Sequence, residues 1–183
     1  SGELGKINYV YSNRLNFGKV RTEENALWSF APHDVAVILR LIGQSPIEVS
    51  ANGGSYLIKG LADVTVSNMR FSDETRAHVF VSWLHPFKEQ RLVVVGDKKM
   101  AIFNDVATFG QKLLLYPQTV EFEGEIPVLK KEDLERVEYS AAEPLREECR
   151  HFLDCVATRE QPLTDAQSGI DVLKVLHACQ SSI

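Results

Sequence analysis

The sequence predicts an α+β domain in which helices cover one face of an open, largely antiparallel β-sheet. Two observations lead to this prediction. The residue pattern runs from strand to helix, then through a long block of strands, and ends in two helices, an order typical of α+β domains. Within the block, apolar and polar residues alternate only in part, as expected for antiparallel strands with helices on one face.

The first strand and the first helix are separated by a long polar loop. Residues 6–12 (KINYVYS) have strand-forming composition, and NRLNFGKVRTEEN follows them. A helix is predicted to begin between Ser29 and Pro32, since proline suits a first helical turn. Its apolar residues recur at helical spacing: Val35, Ile38, Leu39 and Ile42. Gly43 is the expected C-terminal stop.

From Ile47 to about Tyr139, β-branched and aromatic runs predict a sheet of about six strands. The stretch VVVGDKKMAIF carries Gly96 and Asp97 between apolar arms, which indicates a hairpin. One face of this sheet is expected to lack a helix. We therefore expect a homo-oligomer that packs sheet to sheet.

Two helices are predicted after Ser140, separated by a break at Pro162 with Thr164 or Asp165 as the new N-cap. Each has an apolar stripe that is expected to pack on the sheet. The stripes are Leu145, Cys149, Phe152 and Val156 in the first helix, and Ile170, Leu173 and Leu176 in the second. For Cys149 in particular, core packing is favoured over nucleophilic catalysis.

Composition bounds the class of protein. A chain of 183 residues with 44% hydrophobic content is expected to form one domain over residues 1–183. A net charge of -5 disfavours nucleic acid and anionic membranes as partners. No apolar run reaches the roughly 20 residues that cross a bilayer, and three cysteines make no disulfide framework. A cytoplasmic location is therefore expected.

Candidate binding residues concentrate between Ser12 and Asp34. Amide side chains there suit sugar hydroxyls, and Trp28 offers an aromatic wall for a sugar face. Arg14 and Arg21 have the planar donors that suit carboxylate or phosphate oxygens. The alternative is that either arginine pairs with Glu23 or Glu24.

His33 is the candidate catalytic residue. In the first turn of a helix beginning near Ser29, the helix dipole would favour the neutral imidazole, which can accept a proton. Asp34 would then be a first-turn carboxylate that could also orient the histidine. The alternative is a histidine with a structural role only. The spacing of the other histidines indicates no metal site.

The sequence contains no Gly-x-Gly-x-x-Gly motif, no phosphate-binding Walker loop and no Gly-x-Ser-x-Gly elbow. Any nucleotide cofactor is therefore expected to be held by something outside this chain.

The segment from Gly5 to Gly43, centred on NRLNFGKVRTEENALWSFAPHDVAVILRLIG, resembles the second domain of the Gfo/Idh/MocA oxidoreductases. Within that family it resembles the UDP-N-acetyl sugar 3-dehydrogenases. The resemblance extends to LVVVGDKKMAIFND, which is similar to the family's sheet hairpin, and to PLTDAQSGIDVLKVLHACQSSI, which is similar to its closing helix.

The resemblance implies a substrate-binding and oligomerising domain whose N-terminal Rossmann partner, binding NAD or NADP, is absent from this chain. It implies oxidation of the 3-hydroxyl of a UDP-linked N-acetylated sugar or uronate in polysaccharide biosynthesis. His33 matches the family's catalytic histidine. The expected substrate contacts are Arg14, Asn16, Arg21, Glu24, Asn25 and Trp28.

The chain lacks the family's dinucleotide fingerprint and its Glu-Lys-Pro motif, so the isolated chain is expected to be inactive. Two alternatives remain open at this point. One is a non-catalytic sugar-binding or oligomerisation module, and the other is a domain of a free-sugar or inositol dehydrogenase.

Overall fold

Residues 2–183, the part of the chain described by a computed structural model, contain nine β-strands and three α-helices. In chain order they are β1 (Ile7–Leu15), α1 (Ala26–Ile42), β2 (Glu48–Gly54), β3 (Val64–Arg70), β4 (Arg76–Ser82), β5 (Glu89–Gly96), β6 (Lys99–Asn104), β7 (Leu113–Glu123), β8 (Ile126–Lys131), β9 (Glu135–Arg136), α2 (Pro144–Thr158) and α3 (Ala166–Ser182).

The strands form one open sheet in the order β2-β3-β4-β1-β5-β6-β7-β8, with β9 paired to β7. Only β1 and β4 run parallel among the described strands, and all other neighbours are antiparallel. The predicted fold class and the hairpin around Gly96 are confirmed. The expected number of about six strands was too low, and β8 in particular lies outside the strand runs that the sequence predicts.

The start of α1 was predicted wrongly. The helix begins at Ala26, where the Asn25 side chain accepts a hydrogen bond from the Trp28 backbone N–H, and Pro32 lies inside it. The proline signal fails because the first turn already has a good N-cap and buries Ala26 and Leu27 in the core. The predicted stop is confirmed, since Gly43 closes the helix with a φ of 76°.

Helices α1 and α3 pack on one face of the sheet, and the core lies between them and the strands. α1 packs on β1, β3 and β4, while α3 packs on β2 and along α1. On the strands, Val10 and Val79 are fully buried beneath α1. From α3, Leu176 and Cys179 complete this core. Asp165 caps α3 by accepting a hydrogen bond from the Ser168 backbone N–H, as one of the two predicted caps.

The opposite face of the sheet is open and carries aromatic rings. Tyr9 and Val66 on this face are 42% and 38% exposed. Tyr11 stacks on His78 across the β1–β4 pair, with ring centroids 5.2 Å apart. The predicted uncovered face is therefore present.

The packing predicted for α2 was wrong. The helix forms, but it buries none of its residues, and Leu145 and Phe152 remain 66% and 64% exposed. Cys149, expected in the core, is exposed. An apolar stripe specifies that a helix needs a partner, and it does not specify which surface supplies it.

Candidate functional site

A pocket of about 500 Å³ lies at the N-terminal end of α1 and brings together three of the predicted substrate contacts. Its lining residues are Glu23, Glu24, Asn25, Trp28, Gly60, Leu61 and Gln180. The loop after β1, the loop before β3 and the C-terminal end of α3 therefore meet at one place. Glu24, Asn25 and Trp28 were predicted from sequence; the contribution of α3 was not.

Gln180 connects α3 to the start of α1. Its Oε1 accepts a hydrogen bond from Asn25 Nδ2 at 2.7 Å and another from Trp28 Nε1 at 3.0 Å. The rings of His177 and Trp28 pack in a T-shaped arrangement, with centroids 5.1 Å apart. Two residues of α3 thus hold the aromatic wall of the pocket. No local motif marks Gln180, because its partners lie more than 150 residues away in sequence.

The loop that supplies Gly60 and Leu61 is anchored by Asp63, which is completely buried. One carboxylate oxygen of Asp63 accepts hydrogen bonds from the backbone N–H groups of Tyr56 and Leu57. In addition, the Ala26 backbone N–H donates to the carbonyl of Ala62 and ties this loop to α1. The buried carboxylate therefore shapes the far wall of the pocket.

Arg14 does not face this pocket with a free guanidinium. Its Nε and Nη2 donate to the two carboxylate oxygens of Asp34 at 2.7 and 3.3 Å, and Ser12 also donates to Asp34. Asp34 is nearly buried, so the pair is a structural bridge between β1 and α1. The alternative interpretation expected an ion pair at this arginine. An ion pair is present, but its partner is Asp34 instead of Glu23 or Glu24.

The two remaining loop candidates, Arg21 and Asn16, both contact other residues of the loop. Arg21 pairs with Glu24 at 3.1 Å, as the alternative interpretation expected. Asn16 is half-buried, and its side chain lies against Gly18, where an added Cβ would approach its Nδ2 to 2.8 Å. Its backbone N–H donates to the carbonyl of Ser82.

His33 is exposed on α1, in the third turn of the helix. The dipole argument for a first-turn histidine therefore fails, and Asp34 orients Arg14 instead of His33. At about 100° per residue, His33 lies about 140° around the helix from Trp28. The structure therefore places His33 and the Trp28 pocket on different sides of α1.

Metal ligands do not cluster: within residues 2–183 there is no group of three or more His, Cys, Asp or Glu side chains that could hold a metal ion. The same residues contain no helix long and apolar enough to cross a membrane.

Residues 1–102 match the family model of the GFO/IDH/MocA C-terminal domain, which is more than half of the chain. The chain belongs to the GFO/IDH/MocA family. This family membership confirms the resemblance carried by the segment around His33. The open sheet with helices on one face is the C-terminal domain fold of this family.

Solved structures show the GFO/IDH/MocA fold over nearly the whole chain. UDP-N-acetylglucosamine 3-dehydrogenase from Acidithiobacillus ferrooxidans has a TM-score of 0.82 at 21% identity, covering 98% of this chain and 55% of its own. A proposed oxidoreductase from Magnetospirillum magnetotacticum has a TM-score of 0.77 at 28% identity, covering 97% and 56%.

The WlbA dehydrogenase from Bordetella pertussis, solved with NADH and UDP-GlcNAcA, has a TM-score of 0.69 at 18% identity, covering 99% of this chain and 53% of its own. The chain thus spans a little over half the length of these structural relatives. No curated protein sequence matches it.

Proposed function

We propose that this chain is the substrate-binding domain of an NAD(P)-dependent oxidoreductase that oxidises the 3-hydroxyl of a UDP-linked N-acetylated sugar or uronate. The observation that carries the proposal is the pocket in which Glu24, Asn25 and Trp28 meet, in a domain of this oxidoreductase family. Two structural relatives are named for UDP-N-acetylglucosamine oxidation or hold a UDP-sugar.

The cofactor is proposed to bind outside this chain, because its residues do not fit a dinucleotide cradle. Such a cradle needs a glycine-rich turn between a strand and a helix N-terminus. The connection between β1 and α1 has a single glycine, Gly18, and the first turn of α1 is closed by the Asn25 side chain. The hydride acceptor would be a nicotinamide held by a second, N-terminal domain of the Rossmann type.

In this proposal, His33 handles the proton. Oxidation of a secondary alcohol to a ketone removes a hydride from carbon and a proton from the hydroxyl oxygen. The exposed imidazole of His33 takes that proton, because histidine is the side chain that most often serves as a general base. His33 lies on a different side of α1 from Trp28, so in this proposal the substrate extends from the pocket to the side of α1 that the cofactor domain would face.

The same second domain would cover α2. The apolar residues of α2, including Leu145 and Phe152, are exposed, and exposed apolar stripes of this kind mark interaction surfaces. Without that domain, we propose that the chain binds substrate but does not turn it over.

The central experiment substitutes His33→Ala in the enzyme that contains this domain. Turnover should fall strongly while affinity for NAD(P) stays nearly unchanged, because His33 acts on the substrate hydroxyl only. Arg40→Ala, at an exposed position near the other end of α1, is the matched control. Equal turnover of His33→Ala and wild type would remove the catalytic role.

A free-sugar or inositol dehydrogenase is the second candidate. It is favoured by one observation: Arg14 and Arg21 are both engaged in ion pairs, so neither offers a free guanidinium to a diphosphate. Calorimetric titration with UDP-N-acetylglucosamine, N-acetylglucosamine and inositol separates the two functions. Binding of the uncharged sugars alone would favour the second candidate.

A further inference from the structure

The side-chain amide of Gln180 has a defined orientation. The indole N–H of Trp28 is a donor only, so the Gln180 atom facing it must be the oxygen. Asn25 gives the same answer, because its own oxygen accepts the Trp28 backbone N–H and only its NH₂ remains for Gln180. Two independent partners therefore direct Oε1 of Gln180 toward α1.

With Oε1 occupied twice, Nε2 of Gln180 is left as a fixed donor. No acceptor within residues 2–183 forms a hydrogen bond with it, although the side chain lines the pocket. A preoriented amide donor beside an aromatic ring is an arrangement suited to a carbonyl or hydroxyl oxygen on a ligand.

We propose that Gln180 is a positioning residue of the pocket, whose Oε1 holds Asn25 and Trp28 while its Nε2 donates to an oxygen of the ligand. The inference rests on the proposed function for the identity of the ligand, and on the hydrogen bonds alone for the positioning of Trp28.

The charges that line the pocket indicate which part of the ligand binds there. Glu23 and Glu24 line it, and the guanidinium of Arg21 is paired with Glu24. Arg21 balances the charge of Glu24, but the Glu23 carboxylate disfavours a phosphate, so the pocket takes an uncharged ring that carries a carbonyl or hydroxyl oxygen. The N-acetylated sugar and the uracil of a nucleotide sugar share this chemistry.

The positioning role is tested without ligand by the indole N–H resonances of ¹⁵N-labelled protein. The chain has two tryptophans, so Trp28→Phe assigns the signals. Gln180→Met should shift the Trp28 resonance upfield through loss of its hydrogen bond, whereas Gln180→Glu keeps the acceptor and should not. A Trp28 resonance unmoved by Gln180→Met would overturn the positioning role.

The donor role is tested by titrating the protein with UDP-N-acetylglucosamine, N-acetylglucosamine or uridine and following its tryptophan fluorescence. Gln180→Glu keeps Trp28 in place but lacks Nε2, and it should weaken binding about tenfold, as for one lost hydrogen bond. Gln118→Glu on β7 adds the same charge elsewhere and should bind like wild type. The probe that responds, the sugar or uridine, identifies the ring.

Wild-type affinity in Gln180→Glu would overturn the donor role and leave the proposed function standing. Absence of binding of all three probes to the wild-type chain would contradict both the proposed function and the donor role, while the resonance experiment still decides the positioning role. In the enzyme that contains this domain, Gln180→Glu should raise KM with kcat nearly preserved. A fall in kcat alone would contradict the assignment.

Discussion

Several charged residues that the sequence pattern assigns to ligand binding instead pair with other side chains of the protein. Arg14 is the main example, since its guanidinium lies on the Asp34 carboxylate, which is 8% exposed. Taking a carboxylate out of water costs several kcal/mol unless a counter-charge and hydrogen bonds replace the lost hydration. Arg14 and Ser12 supply both.

Replacing Arg14 is therefore expected to act on stability. Arg14→Met should lower the free energy of unfolding by about 3 kcal/mol, because it leaves a buried carboxylate unpaired. Arg70→Met, which removes the exposed pair with Glu48, should cost no more than about 1 kcal/mol. Urea denaturation measures both. Equal losses would show that burial of Asp34 is unimportant.

His78 makes stability depend on pH. Burial on the open sheet face, beside Tyr11, lowers the pKa of His78 below its ordinary value of about 6.5. The unfolded chain then binds a proton that the folded chain resists, so this contribution is present above about pH 6.5 and is lost as the pH falls toward the lowered folded-state pKa.

Lowering the pH from 7.5 by about two units should therefore reduce the urea midpoint. The reduction should be larger in wild type than in His78→Gln. Asn68→Gln, opposite His78 on β3, is the control and should follow wild type. A wild-type pH dependence in His78→Gln would assign the effect to other groups.

At the scale of elements, α1 and α3 belong to the folded core whereas α2 does not. α3 buries Val175, Leu176 and Cys179 against β2 and α1, and α2 buries no residue. Similar sequence patterns thus produce one core helix and one surface helix. The stability of the isolated chain should depend on the first only.

Leu176→Ala should lower the free energy of unfolding by about 2 to 5 kcal/mol, because it opens a cavity beneath α3. The same change at Leu153 of α2, which is 64% exposed, should alter it by less than about 0.5 kcal/mol. Chemical denaturation of the two variants gives a direct comparison. A large loss in Leu153→Ala would mean that α2 is packed in solution.

At the scale of the whole molecule, the sheet has a covered face and an open face. Tyr9, Tyr11 and Val66 lie on the open one, and further strands extend it on both sides of β1 and β4. A broad, partly aromatic surface of this kind favours a partner of the same shape. The homo-oligomer expected from sequence therefore stays a prediction, with this face as its interface.

Light scattering at micromolar concentration should give a mass above that of one chain. Tyr9→Glu should shift it toward the monomer, because the new charge would be buried between two sheets. Leu41→Glu, at a similarly exposed position on α1, should leave the assembly intact. A monomeric wild type would exclude assembly through this face.

Local sequence signals were sufficient for much of the fold. The strands from Glu48 to Asn104, the stop at Gly43 and the cap at Asp165 were predictable because alternation, an αL glycine and an N-cap carboxylate act over a few residues. At the start of α1, two local signals competed. The Asn25 cap and burial of Leu27 overrode the preference of Pro32 for a first turn.

The sequence by itself determined the fold class, the family and the segment from which most pocket residues come. Tertiary structure alone decided that Arg14 belongs to Asp34, that Gln180 holds Trp28, and that α2 stays exposed. The physical reason is range. Turn, cap and periodicity preferences act between neighbours along the chain, whereas hydrogen-bond partners and burial depend on which distant segments the sheet order brings together.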